Sequence, residues 1–238
     1  MLNYLCGTRP DILFAVHQCS RFCADPKMSH EKALKRIVRY LKRTPTDGLI
    51  LKPDSSRGIQ CFGDTDFAGI WSNADTSEPS SVYSRTGSVI MYAGCPLVWV
   101  SKLQSEVALS TTEAEYIALS QAMRDLILLM GILEELAPVL GLSKDQPNVQ
   151  WKACGYESGT LSANLFEDNQ GAYELAKAPK MRPRTKHIAL KYHHFGEFVS
   201  NGTIKIHPIS TKDQIADIFT KGLSTHAFKF LREQLCGW

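Results

Sequence analysis

This chain lacks any arrangement that would pair its cysteines. Its 238 residues hold seven, an odd number, scattered as Cys6, Cys19, Cys23, Cys61, Cys95, Cys154 and Cys236, with no C-x-x-C knuckle. That argues against a disulfide framework and points to a reducing, intracellular compartment. Cys19 and Cys23 stand one helical turn apart near His17 and His30. Small buried side chains on a helix explain them better than zinc does. No signal peptide precedes residue 20, and no apolar run reads as long enough to cross a bilayer, so neither secretion nor a membrane partner is expected. There is no internal repeat, and no low-complexity tract beyond a polar stretch at 72–84. Charge of either sign is not in large excess: the net value is +3, with 44% hydrophobic and 21% charged residues, which is ordinary for a globular chain.

The basic residues are unevenly placed. Residues 1–50 carry nine Lys/Arg against four Asp/Glu, and residues 176–191 carry six basic residues and no acid. Such blocks suit phosphate backbones, although most basic runs are solvated faces. Residues 8–43 read as two helical pieces. Pro10 suits a first helical turn. Ser29 is placed to cap the second piece, with Leu34, Ile37, Val38 and Leu41 on one face and Lys32, Lys35, Arg36, Arg39, Lys42 and Arg43 mostly on the other. TPTDG (44–48) then turns the chain.

From residue 58 the pattern changes. GIQCFG (58–63) reads as a strand leading into Asp64. TGSVIMYAG (86–94) and CPLVWVSK (95–102) read as a hairpin. Ser110 and Glu113 form a capping box that opens a long helix to about Leu136. Residues 138–162 read as a loop, and SANLFED (162–168) as a short strand with Asp168 at its end. NQGAYELAK is a short helix, KAPKMRPRTKH is extended and basic, and IALKYHHFGEFVSNG is helical. TIKIHPIS (203–210) is the last strand, and Thr211 with Gln214 reads as a capping box for the final helix. Three hairpin-joined strands followed by strands separated by helices imply a five-stranded mixed sheet covered by helices.

Four acids stand in separate segments: Asp64 in GDTDFAG, Glu115 in STTEAEYIAL, Asp168 in FEDNQGAYELA and Asp217 in STKDQIADIFTK. Hard oxygen ligands suit Mg²⁺, and two-metal sites need about four of them. Each acid has a rival reading. Asp66 lies two residues beyond Asp64. Glu113 and Glu115 point about 200° apart on a helix, so only one can face inward. Glu113 has work in the cap, whereas Glu115 shares its face with Ala118, Leu119 and Ala122. Asp168 can instead cap the helix that follows it. Asp213 lies one turn before Asp217 and can stand in for it.

These motifs, in this order, resemble one family. TRPDILFAV (8–16), DTDFAG (64–69), S-R-T-G (84–87), W-V-S-K (99–102), LSTTEAEYIALSQA (109–122), EDNQGA (167–172), RTKHIALKYHHF (184–195) and DQIADIFTKGL (213–223) resemble the C-terminal end of a copia-like (pseudovirus-type) LTR retrotransposon polyprotein. The resemblance spans nearly the whole chain. It implies a ribonuclease H-like fold over residues 58–238, preceded over residues 1–50 by a helical remnant of the reverse transcriptase thumb and connection. It implies an endoribonuclease that cuts the RNA strand of RNA–DNA hybrids with two Mg²⁺ ions, Mn²⁺ being an alternative. The family pattern puts Asp64, Glu115, Asp168 and Asp217 in the site, and Arg182, Arg184, Lys186 and His187 on the hybrid backbone. The polymerase domain of the same polyprotein would be a partner, and a virus-like particle or the nucleus a setting. No polymerase, protease or integrase signature is present. The mobile-loop histidine of many ribonucleases H has no clear counterpart: His207 lies inside the last strand. Two other classes stand beside the enzyme: a silent or domesticated fragment that binds nucleic acid, and a subdomain active only within a complete reverse transcriptase. The loops at 68–85 and 138–162 have no assigned role.

Overall fold

The computed structural model describes residues 1–69, 79–137, 139, 156–157, 160–177 and 195–238. Its centre is a five-stranded mixed sheet in the order β3-β2-β1-β6-β7. The strands are β1 (Ile59–Asp66), β2 (Arg85–Tyr92), β3 (Cys95–Leu103), β6 (Ala163–Glu167) and β7 (Ile204–Pro208). The first three form an antiparallel meander, and β6 and β7 join β1 in parallel. This is the five-stranded mixed sheet that the element order implied, in the ribonuclease H-like topology that the family resemblance implied. The β2–β3 turn is tight because Ala93 and Gly94 both take positive φ, of 51° and 76°, the pairing a two-residue hairpin needs.

Alternation along the strands feeds two cores. Ile59, Cys61, Ile90, Leu165, Ile204 and Ile206 pack on one face against Leu119, Ala122, Met123 and Leu126 of α4 (Thr111–Leu136). The short helices α5 (Gln170–Lys177) and α6 (Gly196–Ser200) lie on that side too. Phe62, Val89 and Met91 point to the other face. Their cover comes from both ends of the chain: α1 (Leu2–Leu5), α2 (Leu13–Ser20), α3 (Met28–Arg43), a 3₁₀ turn at Ile215–Phe219, and α7 (Thr225–Cys236). The buried Arg9–Asp11 pair, at 2.8 Å, anchors this layer, and Tyr40 Oη donates to the same carboxylate at 2.6 Å. Trp238 Nε1 donates to Gly48 O at 2.6 Å and Ile50 N to Cys236 O at 2.9 Å, so the two ends are stitched together.

Five local expectations are corrected. Helix α4 is long and apolar enough by length and composition to cross a membrane, contrary to the reading of its sequence as too short. It is the core helix of the sheet, and its burial against β1 and β2 accounts for its apolar character. Strand β1 runs on to Asp66, because β2 keeps pairing with it as far as Asp66 opposite Arg85. Helix α3 starts at Met28 with Lys27 at its cap, so Ser29 lies within the first turn, and Leu34 and Val38 remain 42% and 52% exposed. Within 138–162, β4 (Tyr156–Glu157) and β5 (Thr160–Leu161) form a small antiparallel ladder. The last helix is not opened by Thr211 and Gln214. Ser210 caps a 3₁₀ turn at Thr211–Asp213, Gln214 caps the next at Ile215–Phe219, and Ser224 caps α7. The break falls at Gln214, which is fully buried and donates its amide to Gly63 O at 2.8 Å. That long-range bond holds Gln214 in an extended conformation and interrupts the helix.

Candidate metal centre

Parallel pairing fixes where the acids meet. Phe62 of β1 lies opposite Phe166 of β6, so Asp64 and Asp168 each stand two residues further on, at the same end of the sheet. Carboxyl ends of parallel strands are where α/β folds gather ligands. Glu115 comes from the first turns of α4. The ligand oxygens of Asp64, Glu115 and Asp168 lie within 4.8 Å of one another, close enough to share a cation. The structure thus brings together the first three acids.

Local geometry separates each acid from its rival. Asp66 shares the side of β1 with Asp64, but its carboxylate sits on the following turn, where a Cβ at Gly69 would meet its oxygens at 2.0 and 2.2 Å. Glu113 stays at the cap: its amide donates to Ser110 Oγ at 3.1 Å and its Oε2 accepts from Leu109 N at 2.8 Å. Asn169, not Asp168, caps α5, accepting from Ala172 N at 3.0 Å. That leaves the Asp168 carboxylate to the cluster. Asp213 is exposed, whereas Asp217 is buried beside Asp64. Lys221 Nζ lies 2.9 Å from Asp217 Oδ1 and 3.7 Å from Asp64 Oδ2. Thr220 Oγ1 donates to Asp64 Oδ2.

The electrostatics follow from crowding like charges in a dry place. Burial first, then Asp217, pushes Asp64 up to about 8, against the pull of Lys221 and Thr220. Burial first, then Asp64, Glu167 and Asp168, pushes Glu115 up to about 10. Asp217 is also raised, chiefly by burial, with Lys221 opposing. Burial works against the charge of Lys221, but Asp64 and Asp217 outweigh it and its pKa rises.

Several contributors carried no signal that the motifs revealed. Glu167, 1% exposed, is a further acid under the cluster, raised well above the ordinary range by burial; its Oε1 accepts from Asn169 N at 3.0 Å. Gln104 Nε2 donates to Thr65 Oγ1, Thr86 Oγ1 and Ala114 O at 3.2, 3.1 and 2.9 Å, which pins the start of α4 to the sheet. Arg85 donates to Ser101 Oγ at 3.1 Å and to Gln18 Oε1 at 2.5 Å, and Ser101 Oγ donates to Phe219 O at 2.6 Å. This chain of bonds links α2 to the turn that bears Asp217. Gly87, opposite Asp64, lets that turn approach: a Cβ there would lie 2.6 Å from Thr220 Cγ2 and 2.9 Å from Ala216 O. Lys221 was legible only as the residue four beyond Asp217.

The donors fit a hard divalent cation. All are carboxylate oxygens, and the buried Glu115 Oε2 and Glu167 Oε2 have no hydrogen-bond partner. The Cys19, Cys23, His17 and His30 group forms no metal-ligating cluster among the described residues. Arg182, Arg184, Lys186 and His187, with His193 and His194, lie outside the described residues. His207 sits in β7, where its Nε2 is 2.9 Å from Asn164 Oδ1. A hollow of about 520 Å³ between α2 and the start of α3 is lined mainly by apolar groups and lies apart from the acids.

The chain is 36% identical over 229 residues to the retrovirus-related Pol polyprotein from transposon RE2 of Arabidopsis thaliana, covering 96% of this chain and 14% of that protein. It is 35% identical over 226 residues to the counterpart from transposon TNT 1-94 of Nicotiana tabacum, covering 95% of this chain and 15% of that protein. It therefore spans only about a seventh of the length of these relatives. No family model matches. The structure of LC11-RNase H1, isolated from compost, overlays with a TM-score of 0.45 at 17% identity, over 73% of this chain and 97% of that one. So loose an overlay adds nothing to the strand order, on which the fold assignment rests.

Proposed function

We propose, starting from a chain that belongs to the copia-type family of retrovirus-related Pol polyproteins, that residues 58–238 act as a ribonuclease on the RNA strand of RNA–DNA hybrids. The observation that carries this is the convergence of Asp64, Glu115 and Asp168 within 4.8 Å at one sheet end, with Asp217 alongside. Asp64, Glu115 and Asp168 would hold one Mg²⁺, and Asp64 with Asp217 a second; Mn²⁺ suits the same oxygens. Bound there, the metals supply the positive charge that favours in-line displacement at a phosphodiester, giving a 5′-phosphate and a 3′-hydroxyl.

The chain's own residues hold this arrangement. Asp64 is the acid common to both halves, and Thr220 fixes its orientation through Oδ2. Gln104 sets the first turns of α4 against β1 and β2, and with them Glu115. Burial of Asp64 and Glu115, 1% and 8% exposed, keeps water from screening the site's charge. Arg182, Arg184, Lys186 and His187 would grip the hybrid backbone without sequence preference. The 2′-hydroxyl tells the RNA strand from DNA. In a retrotransposon, inside the cell, this step removes genomic RNA after minus-strand synthesis, with the polymerase part of the same polyprotein as partner.

One observation favours a second reading, a subdomain that works only within a complete reverse transcriptase. Residues 1–50, which we assign to the end of the polymerase portion, share a core with the sheet yet leave Leu34 and Val38 exposed. A labelled hybrid incubated with the chain and Mg²⁺ separates the cases. Cutting by the chain alone supports the enzyme. Cutting only after polymerase is added supports the subdomain, and binding without cutting in either case supports a silent nucleic-acid-binding fragment.

A further inference from the structure

The Asp64–Asp217 half of the site already contains a cation. Lys221 follows Asp217 by four residues, and the turn between them folds its ammonium back over both acids, at 2.9 Å from Asp217 Oδ1 and 3.7 Å from Asp64 Oδ2. The turn is closed by Lys221 N donating to Asp217 O at 3.3 Å and Thr220 N to the same oxygen at 3.2 Å. The lysine side chain is 34% exposed, against 2% for Asp64 and 7% for Asp217. It lies across the mouth of this half, with solvent on its outer side. The trio of Asp64, Glu115 and Asp168 is built differently, since its acids come from three separate elements and meet each other directly.

We propose that Lys221 is a resident counter-cation for the Asp64–Asp217 half, so that a divalent ion enters there only as the lysine swings out. A double charge placed between those two acids would sit about one ion-pair distance from the ammonium, and the two cations repel. Among the described residues Lys221 reaches the trio only through Asp64, the acid the two halves share, and at 3.7 Å rather than the 2.9 Å it keeps from Asp217. The first ion therefore loads on the trio and the second binds more weakly. The flexible four-carbon stem of lysine lets the ammonium leave without disturbing the turn. A nucleic-acid strand at the mouth offers its phosphates to the displaced ammonium. Occupancy of the second half is thereby tied to the presence of a strand. This rests on the carboxylates being metal ligands, as proposed above.

Mn²⁺ uptake by the full chain, counted by loss of the free-ion electron paramagnetic resonance signal, tests this without any activity measurement. Wild type is expected to show one stronger and one weaker ion. In Lys221→Met the weaker ion should tighten by about tenfold or more, and melting of the metal-free protein should fall. Lys221→Arg, which keeps the charge, should bind like wild type. Lys221→Gln repeats the test should the methionine variant not fold. Two ions taken up by wild type, with affinities that Lys221→Met leaves unchanged, would overturn the role of Lys221 and leave the metal site standing. Arginine tightening the second ion as much as methionine would overturn it too. No uptake by any of the proteins would overturn both readings.

Discussion

Raising the pH should weaken the metal-free protein, and Mg²⁺ should undo the loss. Burial and mutual repulsion hold Asp64 up to about 8 and Glu115 up to about 10, and Asp217 and Glu167 are raised as well. In the unfolded chain such carboxyls titrate near about 4. A carboxyl raised by folding contributes stability that is whole below the unfolded value and is lost as pH climbs through the folded one. Between those limits the folded state keeps a proton that the unfolded state has released, and each such proton lowers stability by about 1.4 kcal/mol per pH unit. One retained proton shared by the whole cluster therefore removes about 3 kcal/mol between roughly pH 5.5 and 7.5. For a chain of this size that is a fall in Tm of roughly 6–12 °C. Lys221 does not offset it, because its own pKa is raised and it titrates above this window. Mg²⁺ at about a hundred times its Kd returns about 2.7 kcal/mol at the upper end, where the acids are free to bind it, and less at the lower end, where protons compete. Circular-dichroism melts in EDTA and in millimolar Mg²⁺ across this range measure both effects. A metal-free Tm that stays flat from pH 5.5 to 7.5, or an equal Mg²⁺ gain at both ends, would refute the clustered-acid account.

Asp64→Asn should abolish cleavage and the Mg²⁺ thermal shift while leaving hybrid binding intact or tighter, as band-shift titration will show. It removes one acid from the cluster, so the pH dependence of the metal-free Tm should shrink as well. Gly87→Ala should cost about 1–3 kcal/mol in denaturant unfolding, because its Cβ would meet Thr220 Cγ2 at 2.6 Å and Phe219 Cβ at 2.8 Å. Pushing Thr220 off Asp64 should also raise the Mg²⁺ concentration for half-maximal cutting; an unchanged metal requirement would mean the turn's position is unimportant. Arg184→Ala with Lys186→Ala should weaken hybrid binding and flatten its dependence on the logarithm of salt by about one unit per lost phosphate contact. Equal binding at every salt concentration would mark that segment as an ordinary solvated loop.

What could be read from sequence alone follows the range of the interactions. The hairpin, the cap of α4 and the parallel strands at 163–167 and 204–208 are written in local period and turn residues. So is the choice of Glu115 over Glu113, since the angle around one helix decides which acid faces inward. The meeting of Asp64 with Asp168 was expected from motifs and is explained by parallel register. Bonds between distant segments left no local mark. Gln214 looked like half of a capping box and instead reaches across to Gly63 O, which splits an expected helix into 3₁₀ turns. Gln104 stands just past a strand in an unremarkable polar stretch, yet it joins β1, β2 and α4. Leu34 and Val38 obeyed helical periodicity, but periodicity says only that a face is apolar, not that this chain covers it.

The second core has a consequence for the order of synthesis. Phe62, Val89 and Met91 are roofed in part by Ile215, Phe219 and Leu235, which leave the ribosome long after the strands they cover. At about 5–20 residues per second, the 121 residues between the end of β3 at Leu103 and the start of α7 at Thr225 take roughly 6–24 seconds to appear. The other face can close much sooner, since α4 follows β3 almost at once. During the interval the sheet is a half-finished sandwich whose cover on that side, among the described residues, comes mainly from residues 1–50. The N-terminal helices would then serve as a temporary shield for a nascent strand face, and truncating them should show first as aggregation during synthesis.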